Sequence, residues 1–190
     1  LPYNMHLRWQ DLTQNINDLE EPEREVTIAL CGKYTALEDS YASILESLVH
    51  CEANTKTKVH LKIIETTNLK SESDVNEALR NVDGVIVPGG FGNRGTEGKI
   101  KVIQYVRENN IPFLGICLGL QLAVIEFARN VCHIDNANSE EFDPQSQHLV
   151  IKYLPGQSEE IDMGGTLRLG AYYAVVEKDT QIAQVYNNQE

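Results

Sequence analysis

The sequence is poor in cysteine, in basic residues and in long apolar runs. Its four cysteines show no CxxC or finger-like spacing, which argues against a structural zinc site. The 16 Lys and Arg are outnumbered by 28 Asp and Glu, and the formal net charge of −12 argues against nonspecific binding to nucleic acid or anionic membranes. No apolar run approaches the ~20 residues that cross a bilayer. We see no signal-peptide pattern, and we therefore expect reduced thiols and a cytoplasmic location.

A length of 190 residues suits one domain with a short extension. In residues 1–25, apolar residues recur at spacings of three and four, which predicts a short amphipathic helix. The acidic stretch around Pro22 then breaks that helix. We interpret residues 1–25 as a helix and interdomain linker, and residues 26–190 as the folded domain.

From residue 26 onward, short apolar runs alternate with amphipathic segments. The pattern predicts strands over 26–30, 59–65, 84–87 and 112–116, and helices over 40–52, 74–81, 96–109 and 118–130. Such alternation is typical of an α/β fold, in which a parallel sheet carries helices on both faces. After residue 131 we predict a small antiparallel flap, built from a strand over 149–153 and a hairpin over 166–177, and then a helix over 180–186.

The most informative segment is the apolar run that ends in Gly-Ile-Cys-Leu-Gly and leads straight into the helix predicted over 118–130. A buried strand, a sharp turn and a helix are the parts of a nucleophile elbow, built here with Cys117 in place of serine. The helix N-terminus behind the turn would stabilise a thiolate. A structural cysteine in a strand-to-helix turn gives the same pattern, so periodicity alone leaves both interpretations open.

A second turn, Gly89-Gly90, follows the strand over 84–87, and Gly90 lies 27 residues upstream of Cys117. Glycines permit the backbone angles that turn a peptide N–H toward a pocket. Attack on a carboxamide forms an oxyanion that needs such donors, and we predict the N–H groups of Gly90 and Leu118 for that role. The alternative is a plain strand-to-loop turn.

The same segments resemble the nucleophile and oxyanion motifs of the class I, or triad-type, glutamine amidotransferases. Further strings narrow the resemblance to the glutaminase domains of the CTP synthase family. They are D-S-Y-A-S from Asp39, P-G-G-F-G-N-R-G-T-E-G-K from Pro88, N-A-N-S from Asn136 and M-G-G-T-L-R-L-G from Met163. The resemblance covers roughly residues 25–190. It implies a flavodoxin-like α/β fold and an activity that hydrolyses L-glutamine to glutamate and ammonia.

By resemblance, Cys117 is the nucleophile. The residues that the resemblance assigns to the oxyanion hole and to glutamine binding are Gly90, Leu118, Gly119, Leu120, Gln121 and Glu141. Gln121 and Glu141 would contact the amino and carboxylate ends of the substrate. A charge-assisted pair with the α-ammonium would distinguish amino acids from simple amides. Glu140 lies beside Glu141, and spacing alone does not choose between them. An exposed loop acid is the alternative for either.

The resemblance also implies partners in a larger enzyme. In that family the ammonia passes to an N-terminal amidoligase, or synthetase, domain, which uses ATP and Mg²⁺ to aminate UTP to CTP, with GTP as activator. A full-length enzyme of this kind is expected to be a homotetramer. We expect no cofactor in the glutaminase domain itself and no nucleic-acid or membrane partner. We also expect no metal there, because the His and Asp residues are too scattered to form a ligand set.

A cysteine amidase needs a base that takes the thiol proton and later protonates the leaving ammonia. The resemblance places that base, a His oriented by a Glu, in an H-P-E-F-like motif near the C-terminal end of the domain. None of the five histidines stands in such a motif. We therefore expect a domain truncated at its C-terminus, without the His and Glu of the triad, and inactive on its own.

Three other interpretations remain open. The first is a different class I amidotransferase, which the strings from Asp39 and Met163 fit poorly. The second is a thiol-elbow protein of the DJ-1/PfpI type, which would act through Cys117 without a distant triad. The third is a non-catalytic domain that binds glutamine or has a regulatory role.

Overall fold

The computed structural model describes residues 3–17, 22–33, 38–154 and 175–186. The chain divides into two compact units, Leu1–Lys152 and Tyr153–Glu190. The helices of the first unit are α1 (Tyr3–Asn17), α2 (Ala42–Thr55), α3 (Glu72–Ala78), α4 (Thr96–Glu108) and α5 (Leu118–Asn130). Its strands are β1 (Arg24–Gly32), β2 (Thr57–Glu65), β3 (Gly84–Val87), β4 (Phe113–Gly115), β5 (Asn138–Ser139) and β6 (Leu149–Ile151). The described part of the second unit contains one helix, α6 (Gln181–Val185).

Four strands form the main sheet, in the order β2-β1-β3-β4, and every neighbouring pair is parallel. The register pairs Ile28 of β1 with Gly84 of β3, and Val85 of β3 with Phe113 of β4. The carboxyl ends of all four strands therefore lie at one edge, which is where ligands bind in open α/β sheets. The predicted parallel α/β fold is confirmed.

Helices cover both faces of this sheet. Ala29 and Cys31 of β1 pack with the apolar residues of α3, α4 and α5, whereas Leu30 between them packs with residues of α2 on the opposite face. All three side chains are fully buried. Parallel strands that are covered on both sides need apolar residues at every position, which explains the continuous apolar and fully buried run of β3.

Most predicted elements form, with shifts at their ends. The limits of β3 and α5 match the predicted ones to the residue. Helix α2 begins at Ala42 instead of residue 40, because a 3-10 turn over Glu38–Tyr41 precedes it. Helix α3 begins two residues before the predicted start, since Ser71 and Asp74 form a reciprocal capping box around its first turn.

The prediction of an antiparallel flap is wrong for the strands that the structure describes. Strand β5 pairs with β6 in parallel. Phe142, between the two strands, packs against the main apolar cluster. Residues 166–174 of the predicted hairpin lie outside the described part of the chain. Its last three residues, 175–177, are described and have no regular secondary structure.

The amphipathic helix predicted within residues 1–25 forms as α1. Its Trp9 ring meets the His50 ring of α2 edge to face, with 6.5 Å between centroids. Helix α6 occupies the segment predicted as a helix over 180–186, and the Thr180 hydroxyl caps it by accepting a bond from the Ala183 N–H. Among the described helices, none combines the length and apolar character that a membrane crossing requires.

Candidate active site

Cys117 lies in the turn between β4 and α5, at the N-terminus of the helix. Its backbone has φ 53° and ψ −107°, a combination that residues with a side chain rarely adopt. Strained backbone of this kind clusters at functional sites. The thiol is exposed and faces the carboxyl edge of the sheet. The location and the turn geometry are those of a nucleophile elbow.

Two glycines make this sharp elbow possible. A Cβ on Gly119 would lie 2.1 Å from the carbonyl oxygen of Val87, and a Cβ on Gly115 would lie 2.7 Å from the backbone of Gly119. Helix α5 therefore begins in direct backbone contact with strand β3. The turn is closed by two hydrogen bonds, from the Ile116 N–H to the Val87 carbonyl at 3.0 Å and from the Gly119 N–H to the Ile116 carbonyl at 2.9 Å.

The Gly89-Gly90 turn packs against the elbow. A Cβ built on Gly89 would lie 3.3 Å from the Cβ of Cys117 and 3.8 Å from its sulfur. Gly90 has φ 147°, which is accessible to glycine alone at little cost. In the part of the chain that the structure describes, the N–H groups of Gly90 and Leu118 have no hydrogen-bond partner. Both predicted oxyanion donors are thus available beside the thiol, and their catalytic role stays a prediction.

Two buried lysines hold the carbonyl groups of this loop. Lys99 of α4 donates from Nζ to the Pro88 carbonyl at 3.3 Å. Lys33, directly after β1, donates from Nζ to the Phe91 carbonyl and to the Gly92 carbonyl, the latter at 3.3 Å. Lys99 is fully buried and Lys33 is 3% exposed. These hydrogen bonds to backbone carbonyl oxygens hold the loop from Pro88 to Gly92 in place.

The electrostatics of this buried region are unusual. Burial, with Lys33 nearby, lowers the pKa of Lys99 from its ordinary value of 10.5 to about 8. Burial raises the pKa of the neighbouring Cys31 thiol to about 12. Cys31 therefore keeps its proton at neutral pH, whereas Lys99 is mostly charged there.

Glu141 lies beside the same loop. Its Oε1 accepts a hydrogen bond from the Gly92 N–H at 2.7 Å. The adjacent Glu140 instead donates its backbone N–H to the Ile151 carbonyl, within the small sheet. Gln121 stands in the first turn of α5, where its N–H bonds to the Cys117 carbonyl at 3.3 Å. The structure thus places the Glu141 carboxylate against the loop that contains the Gly89-Gly90 turn.

The other two residues assigned to glutamine binding lie in the same first turn of α5. Gly119 is buried, and the Leu120 side chain is 60% exposed. The Leu120 N–H bonds to the Cys117 carbonyl at 3.1 Å. All predicted site residues therefore lie on the elbow, on the glycine turn or on the segment that contacts it.

No histidine whose side chain the structure describes forms a hydrogen bond with Cys117. His60 pairs with Glu25 at 2.9 Å, near the amino ends of the strands. The His50 ring lies against Trp9. His133 follows the C-terminal end of α5, a helix about 20 Å long that begins at Cys117. Within the described residues, no group of three or more side chains is arranged to hold a metal ion.

The sequence interpretation gave no role to Lys33 and Lys99. A signal for Lys99 was present, because it lies three, four and seven residues before Val102, Ile103 and Val106, which are buried. A lysine in register with an apolar helix face is a buried charge that needs a reason.

Comparison with known proteins agrees with this geometry. The model of the family described as glutamine amidotransferase class I matches residues 36–190. The chain belongs to this family. Two relatives at comparable identity are the CTP synthases of Methanosarcina acetivorans, 48% identical over 94% of this chain, and Prosthecochloris aestuarii, 50% identical over 90%. These matches cover 33% and 31% of those proteins, so the chain spans about a third of the relatives' length.

A solved structure shares the fold. The glutaminase domain of Trypanosoma brucei CTPS, with bound acivicin, superposes with a TM-score of 0.72 at 35% identity, covering 86% of this chain and 63% of that one. The resemblance to the CTP synthase glutaminases, which rested on motifs, is confirmed by relatives aligned over nearly the whole chain.

Proposed function

We propose that this chain is the glutamine-hydrolysing part of a CTP synthase. The family supports a glutamine amidotransferase, and the relatives and the solved structure that match it are CTP synthases. The observation that carries the proposal for the site is the contact between the Gly89-Gly90 turn and Cys117, with the N–H groups of Gly90 and Leu118 left unpaired among the described residues.

In the proposed reaction, the Cys117 sulfur attacks the carboxamide carbon of glutamine, and the carbonyl π electrons move to oxygen. The resulting oxyanion accepts hydrogen bonds from Gly90 and Leu118, each worth about 2.7–4 kcal/mol in comparable sites. The C–N bond then breaks, with a proton delivered to nitrogen, and ammonia leaves a thioester on Cys117. Water hydrolyses the thioester to glutamate and restores the thiol.

Glutamine recognition is proposed to use Glu141 and the first turn of α5. A carboxylate near the α-ammonium distinguishes glutamine from simple amides by a charge-assisted pair. Because Glu141 also accepts the Gly92 N–H, its position is coupled to the oxyanion loop. Gly119, Leu120 and Gln121 would line the same side of the pocket.

The wider role is proposed from the relatives. The ammonia would be used by an N-terminal synthetase domain to convert UTP to CTP, with ATP and Mg²⁺ consumed there and GTP as activator, in a homotetrameric enzyme. All four cysteines are free thiols, which favours the cytoplasm as its compartment.

A labelling experiment tests the glutaminase site. A glutamine-like chloroketone should alkylate Cys117, and free glutamine should protect it. In the complete protein that carries this chain, added hydroxylamine should capture the acyl group from glutamine as the hydroxamate, detected by mass spectrometry. Alkylation without protection by glutamine would favour a thiol-elbow protein of another function. Protection without any hydroxamate would favour a non-catalytic glutamine-binding domain.

A further inference from the structure

Lys99 has a buried side chain that is charged at neutral pH. Its side chain is fully buried, as are those of Ile100, Val102 and Ile103 on the same helix. No carboxylate among the described residues comes within ion-pairing distance of its Nζ. Burying an ammonium group without a paired charge is destabilising by several kcal/mol. An apolar residue of the same length would fill this position more favourably, so stability does not explain the lysine.

The one hydrogen bond that the Lys99 side chain forms with described residues is directed at the loop that packs on Cys117. Nζ donates to the Pro88 carbonyl, whose peptide unit continues into the Gly89 N–H. In a trans peptide the carbonyl and the N–H point in opposite directions. Because the Pro88 carbonyl is held toward α4, the Gly89 N–H of the same peptide is held pointing away from α4. The Gly89 backbone then packs on Cys117.

We propose that Lys99 is a positioning residue of the active site, which holds the Pro88–Gly89 peptide so that the glycine turn presents its N–H groups to the oxyanion beside Cys117. The inference rests on the proposed glutaminase function and adds a residue to it. A flexible glycine turn has many accessible conformations, and only a fixed one offers preorganised donors.

The surroundings of Lys99 support this role. The ionisable groups that act on it are Cys31 of β1, Lys33 directly after β1, Glu65 at the end of β2, and Cys117 of the elbow. Burial and Lys33 lower the pKa of Lys99 to about 8, so it is charged at neutral pH and neutral well above pH 8. Because an uncharged amine also donates to a carbonyl, the hydrogen bond to Pro88 persists in both states.

The test compares Lys99→Met with Lys101→Met in the complete protein that carries this chain. Lys101 lies on the same helix, is only partly buried and bonds to the Lys70 carbonyl, outside the active-site loop. Two probes react with Cys117: a glutamine-like chloroketone, which passes through an oxyanion, and iodoacetamide, which does not. Thermal unfolding is followed by circular dichroism.

We expect Lys99→Met to lower the rate of chloroketone labelling by about 10- to 100-fold, in line with the loss of one oxyanion donor. Iodoacetamide labelling should change by less than about threefold, and the unfolding temperature should stay equal or rise. Lys101→Met should leave both rates unchanged.

Equal chloroketone rates in Lys99→Met and wild type would overturn the inference while leaving the proposed function intact. An equal loss with both probes would also contradict it, since that result indicates damage to the thiol instead of the loop. A Lys99→Met protein that no longer folds would show a structural role and would count against positioning. If wild type itself is not labelled by the chloroketone, the proposed function fails, and the inference fails with it.

Discussion

At the scale of single residues, the surroundings of each thiol decide its reactivity. Cys31 is fully buried, and burial raises its pKa to about 12, so it is almost entirely protonated at neutral pH. Cys51 and Cys132 are exposed, but neither begins a helix. Cys117 combines exposure with a position of rare backbone geometry at the N-terminus of α5.

We therefore expect iodoacetamide to alkylate Cys117 before the other three cysteines, and Cys31 last. Peptide mass spectrometry after short exposures at pH 7 measures the order. In a Cys117→Ser variant the fast phase should vanish and the slower sites should keep their rates. A faster reaction at Cys51 or Cys132 would contradict the assignment of the elbow.

The two neighbouring acids make a matched pair of variants. Glu141→Gln keeps an oxygen for the Gly92 N–H but removes the charge proposed to face the substrate ammonium. We expect protection of Cys117 by glutamine to weaken by about tenfold or more, as for a lost charge-assisted bond. Glu140→Gln should have little effect on protection. If both variants bind glutamine like wild type, Glu141 contacts the loop through Gly92 but does not bind the substrate.

The buried Lys99 also predicts how stability depends on pH. Its pKa falls from 10.5 in the unfolded chain to about 8 in the fold, so between these values the unfolded state binds more protons. The cost of burying the charge is fully present below about pH 8 and disappears as the pH rises toward 10.5. The stability advantage expected for Lys99→Met should therefore shrink over this interval. Urea unfolding of both proteins at pH 7 and pH 10 measures it.

At the scale of elements, α4 and α5 are joined by two ion pairs of very different burial. Glu126 of α5 is 1% exposed and accepts from Arg107 Nη2 at 2.7 Å and from Asn130 Nδ2 at 3.0 Å. The second pair, Arg129 with Glu97, has a carboxylate that is 67% exposed. Since these helices carry the elbow and Lys99, their junction determines how rigidly the site is held.

Arg107→Ala should lower the free energy of unfolding by about 2–4 kcal/mol, because the buried Glu126 carboxylate loses its charged partner. The estimate lies slightly below the usual range for buried pairs, since Arg107 is one-third exposed and water reaches it. Glu97→Gln, at the exposed pair, should cost less than about 1 kcal/mol. Urea titrations give both values, and similar losses in the two variants would show that burial does not distinguish the pairs.

Elements were predictable where a local pattern determines them. The limits of β3 and α5 follow from an apolar run and from the Gly-Ile-Cys-Leu-Gly turn, both contained in short stretches. The parallel pairing of β5 with β6 was not predictable, because pairing between separate segments depends on the tertiary arrangement and not on a local pattern. For the same reason, the sequence motifs located Cys117 and the glycine turn but gave no role to Lys99, whose function depends on a contact with the Pro88 carbonyl.

At the scale of the whole molecule, the described residues bring Cys117 together with the Gly89-Gly90 turn, but no histidine among them forms a hydrogen bond with Cys117. Catalysis by a thiol needs a group that carries the proton to the leaving nitrogen. His60 and His50 are engaged with Glu25 and Trp9, and His133 follows the far end of α5. The described residues therefore support attack by the Cys117 sulfur, but none of their histidines is placed to protonate the departing ammonia.

We accordingly expect the 190-residue chain, assayed by itself, to release ammonia from glutamine very slowly even when Cys117 is readily alkylated. Loss of one member of a catalytic unit removes about 10⁴- to 10⁶-fold of the rate in measured proteases. A coupled assay for ammonia with the chain and its Cys117→Ser variant measures the difference. Rapid release that requires Cys117 would mean that a residue of this chain supplies the proton, and His50→Ala and His133→Ala would then identify which one. Slow release together with chloroketone labelling that glutamine blocks would show that the site binds substrate and that the missing step is the proton transfer.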